Sequence, residues 1–172
     1  AGHVRSLSVR HAADFMMVDE ATCANLNLVP SRGRPADVSL LKVLDVTRTA
    51  MGGRKLRDWM VRPLASLGEI TRRHDAVEAF ARDRALLRDM TDALAKVRDL
   101  ERLIARIGAG TGNARDVAAL GLSLEGVPAV KRLVEQHAAP LLRETGNALV
   151  CLPQLVDLVK RSIADEPPIT IK

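Results

Sequence analysis

The chain has 172 residues, 47% of them hydrophobic and 27% charged, with a formal net charge of +5. The length suffices for one globular domain with its own hydrophobic core, or for a core plus an appendage, and the composition argues against disorder throughout. Aromatic residues make up only 2%, which argues against domains that stack nucleic-acid bases on aromatic side chains, whereas the abundance of Ala, Leu, Arg and Glu predicts an all-α fold.

The first eighteen residues are predicted to differ from the helical remainder. Residues 4–8 and 15–18 are short β-prone runs, which predict a small strand pair or two edge segments. Asp19 follows them as the predicted cap of a short helix over residues 21–28. Residues 30–37 contain two prolines and a glycine, which predict a turn-rich linker of basic character.

The stretch 47–64, TRTAMGGRKLRDWMVRPL, predicts the amphipathic helix around which the rest of the chain is arranged. It follows a two-turn helix over residues 40–45 that Ser39 caps. It ends at Pro63, because the residue before a proline is disfavoured in helical geometry. One side of the helix is apolar and the other is mainly basic: Gly52, Leu56, Trp59 and Met60 against Arg54, Lys55, Arg57, Asp58 and Arg62.

Gly52 and Gly53 need a reason, because each glycine inside a helix costs about 1 kcal/mol relative to alanine. Since Gly52 lies on the apolar side, we expect another helix or a backbone segment to pass close to it, with Trp59 anchoring the contact. We therefore interpret Gly52, Leu56, Trp59 and Pro63 as residues for packing and for the transmission of movement.

The basic side of this helix belongs to a wider positive region. Residues 32–73 hold 10 Lys and Arg against 4 Asp and Glu, a local charge of +6, which leaves −1 for the rest of the chain (+5 − 6). Such a region can meet phosphate, an acidic partner or only water. Arg54 and Arg57 are candidates for contact with another domain or with DNA backbone, and plain solvation of both is the alternative.

The following segment predicts helices that begin at recognisable caps. A capping box at Ser66 and Glu69 starts a helix to about residue 81. Its buried side is predicted to hold Ile70, Val77 and Phe80. Asp83 starts another helix, and a slip of the apolar phase at residues 98–99 predicts a break capped by Asp99. The apolar positions before the slip are Leu87, Met90, Leu94 and Val97.

The glycine-rich turn at residues 108–113 predicts a connector, because it has neither the spacing nor the Lys-Ser/Thr of a phosphate-binding loop. Asn113 and Asp116 then predict a capped helix to about residue 125, which Gly126 and Pro128 are expected to break. Short helices over residues 129–137 and 141–145, a last helix over residues 153–164 and an extended end complete the predicted order.

No pattern in the chain predicts catalysis. Paired carboxylates lie at predicted helix starts or near the end of the chain, where capping explains them. Neither G-x-S-x-G nor a Walker A sequence is present. Two separated cysteines, four scattered histidines and no apolar run of 18 residues predict reduced thiols, no metal site, no bound cofactor and no membrane span in a cytoplasmic protein.

Five blocks of the chain resemble, in order, blocks of a known family. They are FMMVDEATCANLNL at 15–28, SLLKVLDVTRTAMGGRKLRDWMVRPL at 39–64, VRDLERLIAR at 97–106, NARD at 113–116 and IADEPP at 163–168. These blocks are similar to those of the MutS mismatch-repair proteins, with Ala114 where the family usually has a proline. From the first to the last, they extend over residues 15–168, nearly the whole chain.

The resemblance implies that residues 19–172 are the first part of the MutS core (lever) domain III, cut before the clamp insertion, and that residues 1–18 are the junction from the connector domain. It implies a longer, nucleoid-associated bacterial parent protein that uses ATP and Mg in a C-terminal ATPase domain. The parent would act as a homodimer on mismatched double-stranded DNA with a MutL-type partner. The present chain, without catalytic residues, would couple the ATPase to the domains that grip DNA and read mismatches.

Other interpretations stay open at this stage. The parent could be a MutS homologue that acts in recombination, or the chain could be a stand-alone helical DNA-binding protein that uses residues 32–73, or a helical scaffold with no role near DNA. Stand-alone DNA binding predicts affinity for any duplex with steep salt dependence. The lever interpretation predicts weak or no DNA binding by this chain, without preference for a mismatch. It also predicts an exposed apolar strip on the last helix, around Leu155, Val159 and Ile163.

Overall fold

The computed structural model describes residues 14–30, 38–164 and 166–168; the predicted strand at residues 4–8 and most of the predicted linker lie outside this part of the chain. The described residues form α-helices and no β-sheet, so the all-α prediction is confirmed. The helices are α1 (Glu20–Asn25), α2 (Leu40–Leu44), α3 (Ala50–Val61), α4 (Leu67–Arg82), α5 (Arg84–Ala95), α6 (Leu100–Gly108), α7 (Ala114–Val134), α8 (Pro140–Ala148) and α9 (Pro153–Ser162).

Two compact units account for the described residues. The first unit comprises the residues up to Asp45 together with Lys55–Thr71. The second unit comprises Val46–Arg54 together with the residues from Arg72 onward. Two of the boundaries fall within α3 and α4, so each of these helices contributes residues to both units.

The first unit contains α1, α2 and a short extended contact. Asp19 caps α1 and Ser39 caps α2, each by accepting a hydrogen bond from a backbone amide in the first turn, as predicted. Phe15 forms an isolated antiparallel bridge with Leu64, the residue after Pro63. The β-prone run that begins at Phe15 therefore contributes one bridge and no strand.

In the second unit α7 is the central helix, because it packs against α5, α6, α8 and α9. The caps of α5, α6 and α7 are those predicted, since Asp83, Asp99 and Asn113 each accept a hydrogen bond from an amide of the following turn. The buried core includes one residue from each of α4, α5, α7 and α8: Ala76, Met90, Val134 and Leu142.

The prediction that Gly126 and Pro128 end a helix is wrong. α7 runs without interruption from Ala114 to Val134, with Pro128 inside it, so the predicted helix over residues 129–137 is mainly the second half of α7. A proline inside a helix costs about 3 kcal/mol. The helix persists because it packs against four neighbouring helices, and such packing supplies most of the stability of helices in proteins.

The buried face of α4 is rotated from the predicted one. Val77, predicted to be buried, is 64% exposed, and Ala76 is buried in its place. Ile70 and Phe80 are half-buried. The face that a helix buries is set by where its neighbours lie, and a small residue such as Ala76 allows those neighbours to approach closely.

The apolar strip predicted on the last helix also differs. Val159 is buried, because it packs against Gly121 of α7, where an added Cβ atom would lie 2.7 Å from Val159 Cγ1. Ile163 is half-buried. The exposed apolar residues of α9 are Leu155 and Leu158, so only Leu155 of the three residues expected in the strip is exposed.

Candidate functional site

Thr49 caps the start of α3, and Gly52, which has no Cβ atom, leaves room for the Thr49 hydroxyl group. The Thr49 hydroxyl accepts a hydrogen bond from the Gly52 amide at 3.0 Å. A Cβ atom added to Gly52 would lie 3.0 Å from Thr49 Oγ1 and 3.4 Å from the Cβ atom of Thr47. Among described residues, the three atoms nearest to this position therefore belong to the threonines that precede α3, whereas we expected another helix or a backbone segment there.

Replacing Gly52 by alanine is expected to change the free energy of unfolding by less than about 1 kcal/mol, because disturbance of the Thr49 cap and the gain in helix propensity are each worth about 1 kcal/mol and oppose one another. In a Thr49→Ala background, where no cap remains to be disturbed, the same change is expected to stabilise the protein. Urea unfolding of the three variants measures both effects. A loss above 2–3 kcal/mol for Gly52→Ala alone, the cost typical of overpacking, would show that a second element does contact this glycine.

Arg54 connects α3 to the start of α6. Its Nη1 and Nη2 atoms donate hydrogen bonds to the two carboxylate oxygens of Asp99, at 2.8 and 2.7 Å. Its Nε atom donates to Glu101 Oε2 at 3.0 Å, and Nη2 also contacts that oxygen. A planar guanidinium can form such a fork and an ammonium cannot. The arginine predicted to face another domain or DNA thus has two carboxylate partners within its own chain.

Asp99 serves two partners at once. Its Oδ1 atom accepts a hydrogen bond from Arg54, and it also accepts one from the Arg102 amide at 3.3 Å and so caps α6. The hydrogen bonds from Arg54 lower the pKa of Asp99 from its ordinary value of 3.8 to about 2, and they raise the pKa of Arg54. Since the folded-state pKa of Asp99 is the lower one, its stabilising contribution is present above 3.8 and is lost as the pH falls towards 2.

Two further polar contacts hold the opposite end of α6 and the start of α7. Arg106, in the last turn of α6, pairs with Asp116 at 3.0 Å. Asp116 is 8% exposed and forms the predicted capping box with Asn113. Arg115 Nε donates a hydrogen bond to the carbonyl oxygen of Pro167 at 2.8 Å. The sequence predicted the cap, but no local pattern indicated the partners of the two arginines.

The remaining candidates of α3 lie in the first unit. Arg57 is exposed and forms no side-chain hydrogen bond or ion pair with a described residue. Trp59, predicted as the anchor of a packed face, is 38% exposed. Leu56 and Pro63 are half-buried, and the carbonyl oxygen of Pro63 accepts a hydrogen bond from the Met16 amide at 2.8 Å.

Part of the positive region predicted at residues 32–73 is neutralised by acidic partners. Arg62 pairs with Asp58 at 2.8 Å and Arg72 pairs with Glu144, in addition to the fork made by Arg54. Single exposed pairs such as those of Arg62 and Arg72 add little stability, whereas a bidentate fork is an exception. They do reduce the field that this part of the chain presents to phosphate, because each carboxylate cancels a charge nearby.

The glycine-rich turn after α6 is a connector, as predicted. The amides of Thr111 and Gly112 both donate to the carbonyl oxygen of Arg106, at 3.0 and 2.9 Å, and Gly110 adopts a φ of +70°. These amides end α6 and are not free to hold a phosphate group. In the described part of the chain no group of three His, Cys, Asp or Glu side chains is placed to hold a metal ion. Nor is any described helix long and apolar enough to cross a membrane.

Comparison with known proteins gives a consistent result. The family model of MutS domain III matches residues 21–172. The chain is 42% identical over 173 residues to the DNA mismatch repair protein MutS of Myxococcus xanthus, covering 100% of this chain and 19% of that protein. It is 41% identical to the DNA mismatch repair proteins MutS of Methanococcoides burtonii and Symbiobacterium thermophilum, covering 99% of this chain and 20% of each. The chain thus spans about a fifth of the length of these curated relatives.

Proposed function

The chain belongs to the MutS family of DNA mismatch repair proteins, as its domain III, and we propose that it acts as the lever of a longer parent protein. In that role its helices carry movements between the ATPase domain and the domains that hold DNA and read mismatches. Domain III is distinct from the ATPase domain, so the proposed contribution of this chain is mechanical.

The observation that best supports a lever is that α6 is tied to its neighbours at both ends. At its start, Asp99 and Glu101 hold Arg54 of α3. In its last turn, Arg106 holds Asp116 of α7. A helix fixed at both ends by charged hydrogen bonds passes on a displacement of either neighbour, whereas helices held by apolar contacts alone can slide past one another.

The wider properties of the parent belong to the same proposal. We expect ATP and Mg to bind outside this chain, because its described residues offer neither a free phosphate loop nor a metal-binding cluster. We expect the parent to act as a homodimer on mismatched double-stranded DNA and to work with a MutL-type partner. A stand-alone DNA-binding role has less support, since Arg54, Arg62 and Arg72 of the positive region are paired with carboxylates.

The proposal is tested in the full-length parent with Arg54→Ala. We expect ATP-triggered conversion to a sliding clamp, followed by fluorescence on an end-blocked duplex with one mispair, to slow roughly tenfold, within the range usual for coupling between sites. Mismatch affinity without nucleotide should stay unchanged. The matched control is Arg161→Ala, because the one ion pair that Arg161 forms with a described residue is with Asp157 of its own helix. Equal sliding rates for the two variants would contradict the proposal.

A further inference from the structure

A serine in the middle of α7 is completely buried and fully hydrogen-bonded. The side chain of Ser123 has 0% exposure. Its hydroxyl donates a hydrogen bond to the carbonyl oxygen of Ala119 at 2.8 Å and accepts one from the Arg98 amide at 3.0 Å. Removal of this hydroxyl would therefore take away the acceptor that the Arg98 amide has in the folded chain.

The Arg98 amide, which donates a hydrogen bond to Ser123, lies where the backbone passes from α5 to α6. α5 ends at Ala95 and α6 begins at Leu100, so Arg98 belongs to the short break between two helices. Asp99 is the next residue. Its carboxylate must reach the Arg102 amide and the Arg54 guanidinium at the same time, with distances of 2.7–3.3 Å. A small rotation of the break would move that carboxylate away from one partner or the other.

We propose that Ser123 is a positioning residue that fixes the Arg98 amide. It thereby holds Asp99 where its carboxylate can cap α6 and bind the Arg54 guanidinium at the same time. The inference deepens the proposed lever function and rests on it, because it adds a second route from α7 to α3. One route passes through Arg106 and the body of α6. The other passes from α7 through Ser123 and the break directly to Arg54.

The geometry of the hydroxyl supports this assignment over a role in packing alone. A serine that only satisfied its own helix would need one hydrogen bond, to the carbonyl oxygen four residues before it, as Thr145 makes to Leu141 at 2.7 Å. Ser123 makes that bond and directs a lone pair of the same oxygen to a different element, 25 residues away in sequence. The hydrogen bond to Ala119 orients the hydroxyl, so that a lone pair of its oxygen points to the Arg98 amide.

The test follows the ionisation of Asp99 in the 172-residue chain by carboxyl ¹³C NMR. In Ser123→Ala, we expect the pKa of Asp99 to rise from about 2 towards its ordinary value of 3.8, because the fork and the cap both loosen. Exchange of the Arg98 amide with solvent should accelerate in parallel. The control is Thr145→Ala, which removes the comparable bond within α8 and should leave the pKa of Asp99 unchanged.

A second variant covers the case in which Ser123→Ala does not fold. Ser123→Cys keeps a group of similar shape whose sulfur is a weak acceptor, and it should give an intermediate pKa for Asp99. Asp19 provides an internal reference, because its pKa is lowered by its hydrogen bonds with Thr22 in the first unit and should not move. An unchanged pKa of Asp99 in the folded Ser123 variants would overturn the inference.

Failure of this inference and failure of the lever proposal can be told apart. The NMR measurement depends only on contacts within the chain, whereas the sliding measurement requires the parent. A shifted pKa of Asp99 with normal sliding in the Ser123 variants would support positioning and contradict its use in the lever. An unchanged pKa with slow sliding in Arg54→Ala would contradict positioning and leave the lever supported.

Discussion

Replacing Gly146 by alanine is expected to destabilise the protein by about 3 kcal/mol, the upper part of the range for overpacking a close contact. Gly146 lies in α8, where a Cβ atom would come within 2.5 Å of Glu135 Cα and 2.6 Å of Glu135 N. These are backbone atoms at the end of α7, so no change of side-chain rotamer relieves the clash. The two helices would have to separate near the core residue Leu142.

The sign of this effect is opposite to that of helix propensity, which favours alanine over glycine by about 1 kcal/mol. Gly68 of α4 provides the matched control, because no described residue outside the backbone of its own helix and its chain neighbours places an atom within 4 Å of a Cβ atom added there. Gly68→Ala is expected to raise the free energy of unfolding by roughly 0.5–1 kcal/mol. Urea unfolding of both variants measures the difference, and equal stability of Gly146→Ala and the unmodified chain would contradict the α7–α8 contact.

The starts of five helices were predictable because the chemistry of a helix cap is local. A cap needs one side chain and the amides of the next turn, so a short window of sequence contains all the information. Asp19, Ser39, Asp83, Asp99 and Asn113 all cap helices as predicted. The break at residues 98–99 was predictable for a similar reason, since a phase slip of apolar positions is visible within two turns.

The close helix contacts were not predictable, because they depend on residues far apart in sequence. Gly121 and Gly146 mark the points at which α9 and α8 approach α7, yet the sequence drew attention to Gly52, whose neighbours are local. Pro128 was expected to end a helix on local grounds. Packing of α7 against four helices overrides that preference, and a single sequence does not state which helices will meet.

In the candidate site, too, Arg54 and Asp99 were individually predictable from local sequence and their contact with one another was not. Arg54 was identified from its place on the polar side of α3, and Asp99 was identified separately as a cap. Nothing in the spacing showed that they would meet across 45 residues, because the chain offers many carboxylates to each arginine. Ser123 carried no signal, since a serine within a long apolar helix resembles an ordinary tolerated polar residue.

The largest functional effect is expected from Arg54→Glu in the full-length parent. This change places a third carboxylate beside Asp99 and Glu101, so attraction is replaced by repulsion at the point where α3 meets α6. We expect ATP-triggered sliding to slow by at least roughly tenfold, as expected when a coupling of 1–3 kcal/mol is lost. Circular dichroism and mismatch binding without nucleotide serve as controls for folding.

Introducing Arg54→Glu into a background without the two carboxylates separates the charge interaction from general damage to the protein. Asp99→Asn and Glu101→Gln remove both negative charges, and asparagine caps helices as well as aspartate does. In this background Arg54→Glu introduces an isolated carboxylate and no repulsion. Its additional effect on sliding should then be small, since the interaction that it disrupts is already absent.

The most direct test of the lever proposal is therefore the rate of ATP-triggered sliding of the parent carrying Arg54→Glu, measured with and without Asp99→Asn and Glu101→Gln. Coupling through α6 predicts a slowing of at least roughly tenfold in the single variant and, in the triple variant, a rate close to that of the Asp99→Asn/Glu101→Gln parent. A single variant that slides at the unmodified rate, or a triple variant clearly slower than the Asp99→Asn/Glu101→Gln parent, would contradict transmission through the Arg54 fork.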